Sequence, residues 1–351
     1  MLLTLTLVGD TLVSLLLSTR ADRIGRRRTL IVGAALMVGA GLAFAITRDF
    51  WLLTIAGTIG VISPSGNEVG PFLPIEQAAL SQVAPSRIRT NVFALYTLAG
   101  SVATALGSLC GGALAPAGGY RAVVILYATL GLLLAFIFTR LSSAAESSGE
   151  KSTTLFGVSR SRDVVLRLSG LFALDSFAGG FVAQSFAAYW FYLRFGVKPA
   201  ALGAIFFGAN IFAGISALLA SRLAARIGLV KTMVFTHLPS NVLLILVPLM
   251  PTLPLAIFVL WVRFSISQMD VPTRQSYTMA VVDPAERSAA AGITGVARTI
   301  GASIAPVFVG LLFARPALIS VPFFIAGTLK IVYDLMLYRG FVAHPPPEEA
   351  K

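Results

Sequence analysis

Ser18-Thr19-Arg20-Ala21-Asp22-Arg23-Ile24-Gly25-Arg26-Arg27-Arg28-Thr29 separates two long apolar runs near the start of the chain. Near the start of the second half stands Ser221-Arg222-Leu223-Ala224-Ala225-Arg226-Ile227-Gly228-Leu229-Val230-Lys231-Thr232, again between two apolar runs. Position 221 answers position 18, an offset of 203. At that offset Ser, Arg, Ile, Gly, a basic residue and Thr recur in register. A repeat of about half the chain length is the mark of two related halves.

The rest of the 351 residues says where those halves reside. The chain is 56% hydrophobic and only 12% charged, against roughly 25% charged in a soluble domain. Eleven apolar segments follow one another: 2–19, 29–47, 51–83, 89–115, 120–141, 164–193, 199–224, 232–250, 254–281, 289–313 and 317–338. Most reach the roughly 20 residues needed to cross a bilayer, so the fold class is an all-α, multi-pass membrane protein. The Ser-rich, charged stretch 142–163 reads as a cytoplasmic linker between an N-terminal bundle, 1–141, and a C-terminal bundle, 164–340, with 341–351 a short tail. Repeated halves in a membrane protein point to a secondary transporter.

The net charge of +12 carries no nucleic-acid signal, because the basic residues sit in short loops between spans and not on a patch with exposed aromatics. They set topology. Arg20–Arg28, Arg87, Arg140, Arg160, Arg222, Arg287 and Arg339 fall in one alternating set of loops, while Arg48, Arg121, Arg194, Lys198 and Arg315 fall in the other. The first set is read as cytoplasmic, which puts the C-terminus inside and Met1 outside. One cysteine, Cys110, excludes an intrachain disulfide, and His237 and His344 lack metal-ligand company, so neither a metal nor another cofactor is expected. No nucleophile set can be assembled, and an enzyme is not expected.

The segment 18–29 resembles the loop signature of the major facilitator superfamily, G-x-x-x-D-[RK]-x-G-[RK]-[RK]. Asp22, Arg23, Gly25, Arg26 and Arg27 occupy the matching places, with Ser18 for the leading glycine; Arg226 and Gly228 match in the second copy, where Ala225 replaces the aspartate. A second repeat supports the alignment, since Pro74, Gln77, Val83 and Arg89 answer Pro272, Gln275, Val281 and Arg287, position 272 against 74. The resemblance implies two pseudo-symmetric six-helix bundles that rock about a site at mid-membrane. Eleven of the twelve family helices are visible, the first being absent. The expectation is that Met1 is an internal start, with an apolar run just upstream in the gene.

Candidate functional residues follow from charge inside spans, which marks function by default. In the gate motif Asp22 can latch the cytoplasmic side with Arg26 or Arg27, or the arginines only enforce topology. Ser63-Pro64-Ser65-Gly66-Asn67-Glu68-Val69-Gly70-Pro71 would break a span and must face protein or a watery cavity, unless it is an outer loop. Glu76 and Gln77 follow Pro74; Asp270, Arg274 and Gln275 surround Pro272, and Asp270 and Arg274 can pair along one helix face. Asp10 and Asp175 either line the cavity or bond between helices, and Arg298 reaches the cavity. Lys330 and Asp334, four apart, are expected to pair or snorkel.

These residues point to a monomeric secondary active transporter in the plasma or inner membrane. It would move a small organic solute by alternating access, most simply by proton-coupled efflux, with Glu76 or Asp270 and then Glu68 as the titrating carboxylate. Uptake of an organic anion, clamped by arginines, and a non-transporting sensor with a transporter fold are the alternatives.

Overall fold

The computed structural model describes residues 24–62, 72–85, 88–146, 160–283 and 286–343, with Val158 and scattered positions between 5 and 21. The regular elements among the described residues are all helical, and the α-helices are α1 (Arg26–Ile46), α2 (Phe50–Ile59), α3 (Phe72–Val83), α4 (Arg89–Thr139), α5 (Arg162–Gly180), α6 (Gln184–Phe195), α7 (Pro199–Ile227), α8 (Leu229–Leu246), α9 (Leu253–Ser267), α10 (Asp270–Val281), α11 (Arg287–Phe313) and α12 (Val321–Phe341).

Eight helical stretches among the described residues are long and apolar enough to cross a membrane, so the expected count of eleven is not reached. The difference has physical causes. Residues 2–19 lie largely outside the described part, and α2 is too short to span alone. The stretch Thr90–Thr139 holds two helices that meet at Gly119, where the expected segments 89–115 and 120–141 divide. At about 1.5 Å per residue its 50 residues exceed a hydrocarbon core of about 30 Å twofold. It therefore turns, at Gly119, whose φ of 70° and ψ of 174° interrupt the helix just after Pro116.

Large apolar side chains face outward as well as inward. Trp51 is 66% exposed and Leu311 68%, a pattern suited to lipid and costly in water. Inside, Trp190 and Phe191 are wholly buried. Trp190 packs on Phe323 with centroids 4.9 Å apart, and its indole N–H donates to Ser320 Oγ at 3.2 Å. A second buried cluster joins Leu168, Met233, Tyr277, Tyr333 and Leu337.

Helix pairing positions the polar residues of the interior. α1 packs on the second half of α4, α5 on α11, and α8 on α12, while α7 runs closely beside the first half of α4. That last approach depends on two glycines: a Cβ at Gly112 would lie 2.9 Å from Gly203 Cα, and one at Gly203 would lie 2.7 Å from Ser108 O. Small residues let helices meet at backbone distance.

The repeated loops share a conformation. Gly25 (φ +104°) and Gly228 (φ +90°) both precede a helix in a region that favours glycine. Thr29 Oγ1 donates back to Gly25 O at 2.9 Å and Thr232 Oγ1 to Gly228 O at 2.8 Å. Acidic caps complete two helix starts: Glu146 accepts from the amides of Arg26 and Arg27 at 2.8 and 3.1 Å. Glu286 accepts from those of Arg160 and Ser161 at 2.9 Å each. Carboxylates suit the positive end of the helix dipole.

Candidate functional site

Four helices, α5, α8, α10 and α12, bring six ionisable residues together in the apolar interior. Asp175 on α5 is the hub. Its Oδ1 accepts from Lys330 Nζ at 2.6 Å and its Oδ2 from Arg274 Nη1 at 3.0 Å. Arg274 also lies 3.5 Å from Asp270, one turn earlier on α10, and its guanidinium stands 5.3 Å from the Phe172 ring centroid. His237 on α8 places Nδ1 2.8 Å from Asp334 Oδ1 and Nε2 3.9 Å from Asp175 Oδ1. Asn241, one turn on, donates to Asp334 Oδ2 at 2.9 Å. All six are at most 8% exposed. Isolated charges could not be buried so; here each carboxylate has a partner.

One expectation changes. Lys330 and Asp334 do not pair with each other: Lys330 crosses to Asp175 and Asp334 turns to His237. Their side chains leave the helix on diverging courses, because better-placed partners wait on α5 and α8. Asp175 and Asp270 join the ionic network with Arg274, and the expected pairing along the α10 face is present. Sequence spacing alone did not single out His237. The signal that could have found it is Asn241 at i+4, which gives an apolar helix a polar face.

A separate carboxylate stands in the N-terminal half. Glu76 on α3 accepts a hydrogen bond from the Tyr96 hydroxyl on α4. No Lys or Arg among the described residues pairs with it. The repeat-equivalent positions Glu76 and Arg274 thus each find partners in their own half.

The two halves meet through neutral hydrogen bonds. Thr90 and Ser276 hydroxyls share one of 2.6 Å between α4 and α10. Gln184 Nε2 donates to Ser108 Oγ at 2.9 Å, and Asn210 Nδ2 to Gln184 Oε1 at 2.9 Å, joining α4, α6 and α7. Buried polar atoms without a partner include Gln77 Nε2, Gln275 Oε1 and Arg263 Nε. Gln77 and Gln275 are the equivalent positions of the second repeat. Arg298 is half-buried on α11.

In the gate motif, Arg26 Nη1 donates to Gln82 Oε1 at 2.8 Å and Ala145 O at 3.1 Å, tying α1 to the end of α3 and to the segment after α4. Arg27 and Arg226 are exposed. Asp10, Asp22, Arg23, Asn67 and Glu68 lie outside the described residues. No group of three or more His, Cys, Asp or Glu suited to a metal occurs among the described residues.

The sequence profile of the Major Facilitator Superfamily matches residues 1–193 and, overlapping them, 168–351. The chain belongs to the Major Facilitator Superfamily. The double match follows the internal repeat, and membership makes the chain a transporter and not an enzyme.

Two curated relatives and two solved structures resemble the chain. An uncharacterized membrane protein of Saccharomyces cerevisiae, YJR124C, is 29% identical over 97% of this chain and 85% of its own length. A Na(+), Li(+), K(+)/H(+) antiporter of Planococcus maritimus is 32% identical over 36% of this chain and 30% of its own. Among solved structures, the human organic anion transporter MFSD10 (TETRAN) superposes with a TM-score of 0.72 at 17% identity, covering 96% of this chain and 82% of that one. A bacterial homologue of the iron transporter ferroportin, in an outward-facing state, gives 0.64 at 14% identity, with coverage of 95% and 88%. At these identities the superpositions speak for the fold alone.

Proposed function

We propose that this superfamily member is a proton-coupled exporter of a small organic solute, working by alternating access between its two bundles. Glu76 is the coupling carboxylate. The observation that carries this is its environment: a carboxyl inside an apolar segment, held by the neutral Tyr96 hydroxyl and by no cation among the described residues. Such a group can gain or lose a proton without breaking an ion pair. Asp270, the alternative coupling carboxylate, is engaged by Arg274 and is assigned a structural part.

Substrate binds between the halves, with the repeat-equivalent Gln77 and Gln275, each holding an unpartnered buried amide atom, as its polar contacts. The linker at 142–163 lets the bundles rock, and Asp22 latches their cytoplasmic ends. The protein acts as a monomer in the plasma or inner membrane with its C-terminus inside. The short stretch shared with a cation/H(+) antiporter agrees with proton exchange. A second reading, uptake of an organic anion, is favoured by the unpartnered Nε of Arg263 and by the MFSD10 fold likeness. Liposomes loaded with a pH-sensitive dye and challenged with a compound library decide between them. Export predicts proton flux opposite to solute flux, and anion uptake predicts flux in the same direction.

A further inference from the structure

We propose that His237 and Asp334 form a second proton-binding site, a dyad buried between α8 and α12 and linked through Asp175 to Lys330 and Arg274. The dyad rests on the reading of a proton-coupled transporter and adds a site that this reading does not use.

The side chain of Asp334 is fully buried, and the cation one turn away on its own helix, Lys330, is spent on Asp175 at 2.6 Å. No lysine or arginine among the described residues pairs with Asp334. Its partners are His237 Nδ1 at 2.8 Å and the Asn241 amide at 2.9 Å. A buried carboxylate beside a neutral imidazole leaves an uncompensated charge in a medium that penalises it heavily. A proton on the ring turns the same contact into an imidazolium–carboxylate pair. The second ring nitrogen then faces another carboxylate, Asp175 Oδ1, 3.9 Å away. Nδ1 thus has a hydrogen-bonded carboxylate, with the Asn241 amide 3.2 Å away, and Nε2 has a second carboxylate within ion-pair distance.

Other charges nearby do not remove the need for that proton. From α5 comes Asp175, and from α10 come Asp270 and Arg274, which pair with each other and, through Arg274, with Asp175. From α12 come Lys330, already on Asp175, and Tyr333, whose ring stands edge-on to His237 at 5.9 Å. α9 contributes Arg263, which stacks on Phe264 at 5.0 Å and pairs with no acid among the described residues. On α7, Arg222 and Arg226 are exposed, as is Lys231 at the start of α8.

A hydronium ion on one face loses a proton, its O–H bond breaking to leave water as an N–H bond forms on His237. The same bond breaks when the dyad opens to water on the other face. Without the proton, the His237–Asp175 contact loses its attraction, and Asp175 is left to Lys330 and Arg274 alone. The hold of α8 on α5 is thereby tied to protonation, while Lys330 keeps α12 on α5 in either state.

Purified protein in liposomes, titrated by infrared difference spectroscopy, tests this without a substrate. The wild type should show carboxyl and imidazole bands that titrate together. The double variant His237→Gln/Asp334→Asn replaces the pair by neutral hydrogen-bonding groups and should lose that component entirely. His237→Lys fixes the charge and should also lose it, whereas Glu76→Gln should keep it. Identical titrations in the wild type and the folded double variant would overturn the proposal. If Glu76→Gln transports normally while the dyad still titrates, the coupling role of Glu76 fails and the proton site stands.

Discussion

Lys330 on α12 donates to Asp175 on α5 at 2.6 Å, although Asp334 lies one turn away on the same helix. The choice ties α12 to α5 and leaves Asp334 for His237, so that one aspartate organises four helices. With both Lys330 and Arg274 leaning on it, Asp175 is the residue whose loss leaves the most buried charge unanswered.

Asp175→Asn should therefore destabilise the protein by about 3–5 kcal/mol, the usual penalty for removing one partner of a buried pair. Thermal unfolding in detergent reads this. Adding Lys330→Met to the same variant should recover part of the loss, because one of the two orphaned cations is removed. A double variant no more stable than the single one would place the cost elsewhere.

Gly203→Val tests the seam between α4 and α7. A side chain there meets Ser108 O at 2.7 Å, and overpacking of this kind costs about 1–3 kcal/mol. Because α4 and α7 belong to different halves, transport should fall more than stability does. Unchanged transport with lowered stability would make the seam a passive contact.

The repeated loops invite a paired test. Gly25→Ala and Gly228→Ala each force a Cβ onto a backbone at φ +104° or +90°, at about 1–3 kcal/mol apiece. Similar losses of melting temperature are expected at the two sites, since the loops share geometry. A harmless alanine at either site would mean that its loop can rearrange.

These glycines were legible in the sequence because repeat and conformation act locally: a glycine before a helix, a threonine four residues later, the same at an offset of 203. The number of spans was not. The break between 89–115 and 120–141 was legible, since Pro116 and Gly119 interrupt the helix there; α2, with ten residues, is too short to span alone. Asp175, Asp270 and Arg274 stood out as charges in apolar spans. Their partners did not, because contacts across 99 and 155 residues leave no trace in spacing. Asn241 at i+4 marked a polar face around His237 without naming the acid it meets, and Tyr96 left no such mark: a phenol in an apolar helix reads the same whether it bonds to an acid or to nothing.

Coupling of solute movement to protons through Glu76 is tested most directly by one comparison. Wild-type protein and Glu76→Gln are reconstituted in liposomes with a transported compound. Accumulation driven by a pH gradient is measured beside exchange of labelled for unlabelled compound at equal pH. Glu76→Gln should abolish gradient-driven accumulation while exchange persists at a reduced rate, since the site between the bundles is intact. Accumulation equal to the wild type would contradict the coupling role.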